Sequence, residues 1–328
     1  MSFDVPILLI LWRRPEATKK LLKVLKVIEP RNLYVACDGA RDGNNIEIQK
    51  VKKTREIVKK EINWNVSLKT FFSEKNFGCK YGVSNAINWF FESEEEGIIL
   101  EDDCIPHIDF FDFCKILLEK YRYDQRVFCI SGANQLNKTI GEGSYFFSRY
   151  NHCWGWASWR RCWKLYDVKM SLWPKYKKTE LIRSNFTFKK EQNYWSKAFD
   201  DFYFHGFPDS WDYQWFFTSL IHGGITAIPN KNLIENIGFG NEATHTKSGK
   251  SPLKDIPNKK RGGSGVLPMK HPDFVIRSEF ADRIVERKSF SGPEFLSILW
   301  MKRILQKINN KIFKIINLFS KMLKNNRL

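Results

Sequence analysis

Glu101, Asp102 and Asp103 stand side by side directly after the apolar run Ile98, Ile99 and Leu100. Carboxylates crowded in this way repel one another and require a compensating positive charge. A divalent cation held through oxygen atoms, Mn2+ or Mg2+, is the commonest chemical answer. Apolar runs bounded by polar residues read as buried strands, so the acids fall where such a strand leaves a sheet. A second acid, Asp212, lies between Trp211 and Trp215 in SWDYQW, where partial desolvation tunes a carboxylate for taking up a proton. Asp209, Asp200 and Asp201 compete for that role, and any of them also reads as a helix N-cap. Asp209-Ser210, directly before WDYQWFFTSLI, has the pattern of a cap, which leaves proton abstraction to Asp212.

Elements that position these groups are visible in the pattern of apolar residues. Val5 to Leu11 reads as a buried strand, and Pro15 opens a helix with Leu21, Leu22, Leu25 and Ile28 on one face, stopped by Pro30. NLYVACDG reads as a second strand, ending on Asp38 and Gly39. A helix marked by Ile48, Val51, Ile57 and Val58 follows, then the strand VSLKTFF at 66–72, a turn at Asn76 and Gly78, another helix, and the strand that delivers the acids. Such alternation predicts βαβ units on a parallel sheet. Ligands on these sheets sit beyond the carboxyl ends of the strands. Asp38, the acid cluster, and Arg13 and Arg14 after the first strand are therefore candidates for one cleft. Asp38-Gly39 also reads as a plain turn, and the arginine pair as solvated helix-start residues.

From about residue 145 to 225 the alternation gives way to aromatic-rich sequence, including NHCWGWASWRRCW and DDFYFHGFPDSWDYQWFF. These rings either build a core or line an acceptor groove, since flat aromatic faces pack on the C–H faces of sugars. Residues 225–237 read as a further strand, followed by GFGNEATHT. KSGKSPLKDIPNKKRGGSG reads as a flexible loop or linker. From Met301 the apolar residues fall at 304, 305, 308, 312, 315, 316, 319, 322 and 323, with no acid after Glu294. This is a basic amphipathic helix, lying on an anionic membrane surface or packed on protein.

The 54 Lys and Arg against 36 Asp and Glu leave a net charge of +18 on 328 residues, which points to an anionic partner without choosing among nucleotide, nucleic acid and acidic lipid. Seven cysteines, odd in number and without C-x-x-C spacing, argue against a disulfide framework or a zinc site. An acid precedes the first apolar run and two arginines follow it, the reverse of a signal peptide, and no apolar run is long enough to span a membrane. A cytoplasmic location is the expectation.

In order along roughly the first 246 residues, PILLILWRRPEATKKLL, LYVACDG, IILEDDCIPHIDFFDF, VFCISGANQLN, WGWASWRRCW, DSWDYQW and IGFGNEATHT resemble a known family. They are similar to nucleotide-sugar glycosyltransferases of the GT-A fold. The resemblance is closest to the N-acetylglucosaminyltransferase I type, glycosyltransferase family 13, and to bacterial haemolysin-like, family 2-like relatives. It implies an α/β, GT-A (Rossmann-like) mixed, mostly parallel sheet flanked by helices. Residues 1–246 would form the transferase domain, with 1–131 binding the nucleotide-sugar and 132–246 the acceptor. Residues 247–293 would be a basic loop or linker, and 294–328 the basic amphipathic helix.

By the same resemblance, Arg14 approaches the base or phosphates of the nucleotide, and Asp38 accepts from a uracil N–H. Asp102 faces the ribose or donor sugar, supported by Glu101, and Asp103 is the direct ligand of Mn2+ or Mg2+. Gly155, between two tryptophans, lets the backbone pass close to the donor sugar. His245 binds the metal or the diphosphate, and His152 is a weaker candidate. Asp212 is the base, and a single base without a second carboxylate nucleophile fits inversion. The implied activity is metal-dependent transfer from a UDP-sugar to a hydroxyl of a glycan or glycolipid acceptor. It would serve bacterial surface polysaccharide synthesis on the inner face of the cytoplasmic membrane, anchored through 294–328, with no nucleic acid partner. The aromatic region departs from the animal enzymes, so the donor sugar is not carried over.

Two other readings compete. A sugar-phosphate nucleotidyltransferase needs a glycine-rich basic loop after the first strand, where LWRRPEAT has no glycine. A non-enzymatic binder of membranes or anionic polymers has no use for the acids at the strand end or for Asp212.

Overall fold

A computed structural model describes residues 3–136, 138–238 and 264–289. His245 and the tail at 294–328 lie outside the described residues. β1 (Ile7–Leu11) is wholly apolar and buried at all positions but Ile10. α1 (Pro15–Ile28) starts on a proline whose fixed φ suits a first helical position, and it buries Leu21, Leu22 and Leu25. Each such leucine contributes about 1.5–3 kcal/mol by leaving water. β2 (Asn32–Cys37) follows, then α2 (Asn45–Glu61), whose N-cap Asn44 accepts from the Glu47 N–H. β3 (Ser67–Phe72) is exposed along nearly its whole length. α3 (Gly78–Ser93) leads to β4 (Glu96–Glu101), which ends on the first of the three acids.

Beyond the acids come β5 (Cys104–Pro106), α4 (Asp109–Tyr121), β6 (Val127–Ser131), β7 (Tyr145–Ser148) and β8 (Trp156–Trp159). Four helices follow in α5 (Arg160–Trp163), α6 (Trp173–Lys177), α7 (Leu181–Asn185) and α8 (Lys189–His205). α9 (Asp212–Ile221), β9 (Ile225–Pro229), β10 (Ile234–Asn236) and α10 (Glu279–Ser289) complete the described chain. Eight strands form one sheet in the order β3-β2-β1-β4-β8-β6-β9-β7, a mixed, mostly parallel, Rossmann-like arrangement flanked by helices. β8 runs antiparallel between β4 and β6, and β7 antiparallel to β9. β5 and β10 form a separate antiparallel ribbon, so the single strand expected over 225–237 is two strands in two sheets.

The structure decides between the two readings of the aromatic region. Trp156, Trp159, Trp173 and Trp215 are fully buried, and Trp195, Phe199, Phe216 and Phe217 belong to a second core cluster beside the main one. The tryptophans build core and do not line a groove, because β8 sits in mid-sheet and both its faces are covered. Residues 264–289, read from composition as linker, are folded back on the sheet. Ser278 N–H donates to the Phe147 carbonyl, and Asp282 is buried in an ion pair with Arg149 at 3.1 Å, with Ser148 Oγ donating to it at 2.5 Å. Lysine and glycine content hid a short amphipathic helix whose Ala281 and Val285 enter the second cluster. All seven cysteines are free. Among the described residues no helix is long and apolar enough to cross a membrane.

His152 is buried, and its Nε2 has no hydrogen-bond partner. Burial lowers its pKa to about 4. A depressed folded-state value gives stability that is present above the ordinary histidine value near 6.5 and is lost as pH falls through 4. Unfolding by denaturant is expected to show about 3 kcal/mol of such loss between pH 6.5 and 4 in the parent. His152→Leu should remove that slope, and an unchanged slope would reject the assignment.

Candidate functional site

The acids emerge where β4 leaves the sheet between β1 and β8. Their compensating cation in this structure is Arg14, which directly follows Trp12 and Arg13 at the end of β1. Its guanidinium donates to Asp102 at 2.6 Å and to Asp103 at 2.8 Å. Burial works against the Arg14 charge, and Asp102, Asp103 and Glu101 more than restore it. Asp102 is buried and also accepts from the Trp12 N–H at 3.2 Å. Arg13 turns the other way, to Glu47 at the start of α2, with its guanidinium 4.4 Å from the Trp12 ring centroid. Of the arginine pair, only Arg14 reaches the acids.

Asp38 is placed at the same edge, with its oxygens already engaged. They accept from the N–H groups of Gly39, Phe77 and Gly78 and from Asn76 Nδ2, at 2.9 to 3.1 Å. A helix start has four N–H groups without intrahelical partners. At α3 the first two, Phe77 and Gly78, are satisfied by Asp38, and the next two by Asp209, which accepts from Cys79 at 2.9 Å and Lys80 at 3.1 Å. The expectation that Asp209-Ser210 caps the following helix is corrected. α9 begins at Asp212 with Trp211 as an N-cap that makes no side-chain bond, while the Asp209 carboxylate caps a helix 130 residues earlier. Gly78 makes this approach possible: its φ is +76°, and a Cβ there would lie 2.5 Å from Asp209 Oδ2. Asp209→Ala is expected to cost about 1–2 kcal/mol of stability. Amide exchange should accelerate at Cys79 and Lys80; acceleration confined to α9 would contradict the arrangement.

Asp212 is held on a wall of indoles. Trp211 and Trp215 are buried, and Trp211 stacks on Trp156 with centroids 5.5 Å apart. Tyr166, stacked on Trp163 at 4.2 Å, donates to the Trp211 carbonyl. Ser210 Oγ donates to Asp212 Oδ1. Asp200, a rival for the base, is committed to Trp173 Nε1 and Lys177 instead. Asp212 and the acid cluster feel each other: burial pushes the Glu101 carboxyl up to about 8, helped by Asp103, Asp102 and Asp212. Burial raises Asp102 to about 6 against the pull of Arg14. Cys79, in the first turn of α3, is raised by burial and then by Glu101, Asp212, Asp209 and Asp103, which places it in the gap between the two acidic groups.

A divalent cation can be tested against this donor set. Glu101, Asp102, Asp103 and Asp212 face one resident cation, Arg14, so negative charge is in excess, and the raised Glu101 records it. Asp103 keeps 17% of its side chain exposed. Among the described residues no three His, Cys, Asp or Glu side chains converge as a ready-made cage. A hard divalent ion accepts one protein carboxylate with waters and phosphate oxygens completing its shell, so Asp103 fits such an ion as a single direct ligand.

Gly155, at φ +57°, is buried, and a Cβ there would lie 2.4 Å from Ile234 Cδ1. The close approach that it permits is to the core residue Ile234, not to a cleft surface. Three residues that position the site escaped the sequence reading. Trp12 ties the β1 loop to Asp102 and, through Nε1, to the Gly39 carbonyl. Cys79 has no local signal beyond its type. Gly238 lies against Asp103, where a Cβ would stand 2.1 Å from Oδ2, held there by the β5–β10 ribbon and by Ile237 N–H donating to the Asp103 carbonyl. Its signal was the paired glycines of IGFG after a strand.

The chain matches no protein-family model and no curated protein. Solved structures share part of its layering. A cytidylyltransferase from Leptospira borgpetersenii serovar Hardjo-bovis is 15% identical over 50% of this chain, which spans 64% of that one, less than two thirds, at a TM-score of 0.32. HddC from Yersinia pseudotuberculosis is 10% identical over 51% of this chain and 83% of its own, at 0.30. The 4-diphosphocytidyl-2C-methyl-D-erythritol synthase from Anaerococcus prevotii is 10% identical over 64% of this chain and 86% of its own, at 0.30.

Proposed function

We propose that this protein is a glycosyltransferase of GT-A type, moving a sugar with inversion from a nucleoside-diphosphate donor, UDP-linked by expectation, to an acceptor hydroxyl. The observation that supports it is the meeting of Glu101–Asp103 and Asp212 about the first turn of α3, at one edge of the sheet. Asp212 takes the proton of the acceptor hydroxyl as its oxygen forms a bond to the anomeric carbon. The bond from that carbon to the phosphate oxygen breaks, and its electron pair leaves with the nucleoside diphosphate. A Mn2+ or Mg2+ ion on Asp103, when bound, neutralises charge developing on the diphosphate. Arg14 holds Asp102 and Asp103 in place beside the phosphates. Asp38 shapes the nucleotide side by fixing the start of α3, and Trp12 closes the loop between them.

The test is calorimetric titration with UDP, with and without Mn2+, followed by turnover of UDP-sugars. Metal-dependent UDP binding supports the reading. Release of pyrophosphate from a nucleoside triphosphate and a sugar phosphate, with no UDP-sugar turnover, would replace it by nucleotidyl transfer on the same sheet. The segment 294–328 retains the proposal of an anionic membrane anchor. Its deletion should abolish sedimentation with anionic vesicles and spare UDP binding, and unchanged sedimentation would reject it.

A further inference from the structure

With the tryptophans of the second half in the core, the rings available to a ligand are elsewhere. Phe77 and Tyr81, at 48% and 46% exposure, flank the first turn of α3, and Tyr203 and Phe204, at 38% and 60%, end α8. Lys80 links the two groups. Its Nζ lies 5.7 Å from the Tyr81 ring centroid and 3.9 Å from the point where a Cβ on Gly206 would stand. Gly206 is the left-handed C-cap of α8, so Tyr203 and Phe204 are turned out beside it, their rings edge to face at 5.0 Å. Asp209 binds the Lys80 N–H, and Asp212 starts α9 three residues later. The end of α8, Lys80 and the proposed base therefore share one rim of the cleft.

Clustered aromatic rings held in water mark a surface that a ligand covers. A flat ring offers its face to the C–H face of a pyranose, a shape that few other metabolite groups present. Lys80 makes no ion pair among the described residues, and its ammonium can donate to hydroxyls of the same sugar. We propose that Tyr81, Lys80, Tyr203 and Phe204 form the acceptor subsite, and that the acceptor is a pyranoside rather than a protein side chain or a simple alcohol. This assignment rests on the transferase reading, in which Asp212 is the base.

The test is saturation-transfer NMR on the full chain with UDP present, using the methyl β-glycosides of glucose, galactose and N-acetylglucosamine as probes. Ring C–H protons of at least one probe should be saturated. The signal should fall about fivefold or more in Tyr203→Ala/Phe204→Ala and in Tyr81→Ala, and stay unchanged in Tyr123→Ala, an exposed ring beyond the end of α4. Phe204→Leu keeps apolar volume while losing the flat face, and it should also lose signal, which covers the case of a double variant that does not fold. UDP binding with no glycoside signal, or with a signal that these variants leave intact, overturns the subsite and spares the donor reading. Glycoside binding through these rings without UDP binding keeps the saccharide site and removes the donor reading. Binding of neither removes both.

Discussion

Asp212→Asn should lower the rate of sugar transfer by about 10²–10⁴-fold while UDP binding stays intact. Asparagine keeps the volume and an oxygen to accept from Ser210, so the indole wall behind it is undisturbed and only basicity is lost. Initial rates give the first quantity and calorimetry the second. The result has force because the rivals are engaged: Asp209 on α3, and Asp200 on Lys177 and Trp173. A transfer rate within about threefold of the parent would remove Asp212 as base, since general-base contributions are far larger than that.

Asp103→Ala should make UDP binding indifferent to Mn2+ and reduce turnover by about 10²–10³-fold, the scale of losing one electrostatic stabiliser of a leaving group. The fold should survive. Arg14 keeps Asp102 as a partner, and the charge that Asp103 exerts on buried Glu101 is relieved. Thermal unfolding within a few degrees of the parent, with the metal response gone, separates a ligand from a merely structural carboxylate. Full activity in this variant would end the metal assignment.

The first half of the fold was readable because its strands are short apolar runs and its helices carry one apolar face, as in β1 and α1. The acid cluster and Asp212 were found by residue type, and the structure brings them to one cleft. What local patterns did not carry was partnership. Arg14 meets Asp102 across 88 residues and Asp209 meets Cys79 across 130, so neither the resident cation nor the true object of the Asp209 cap has a short-range signal. Aromatic density failed differently. A run such as WGWASW has the same composition whether it is a mid-sheet strand or a sugar platform, and the choice of core followed from β8 lying between β4 and β6.

The shared cap at the start of α3 also sets an order of events during synthesis. Asp38 emerges before the helix it holds, whereas Asp209 emerges 130 residues after Cys79. At translation speeds of about 5–20 residues per second, the first turn of α3 waits roughly 6–26 seconds for its second carboxylate. A nascent chain stopped short of residue 209 thus has a sheet edge but an unfinished cleft, and nucleotide affinity should arise late, when the second half of the polypeptide has folded onto the first.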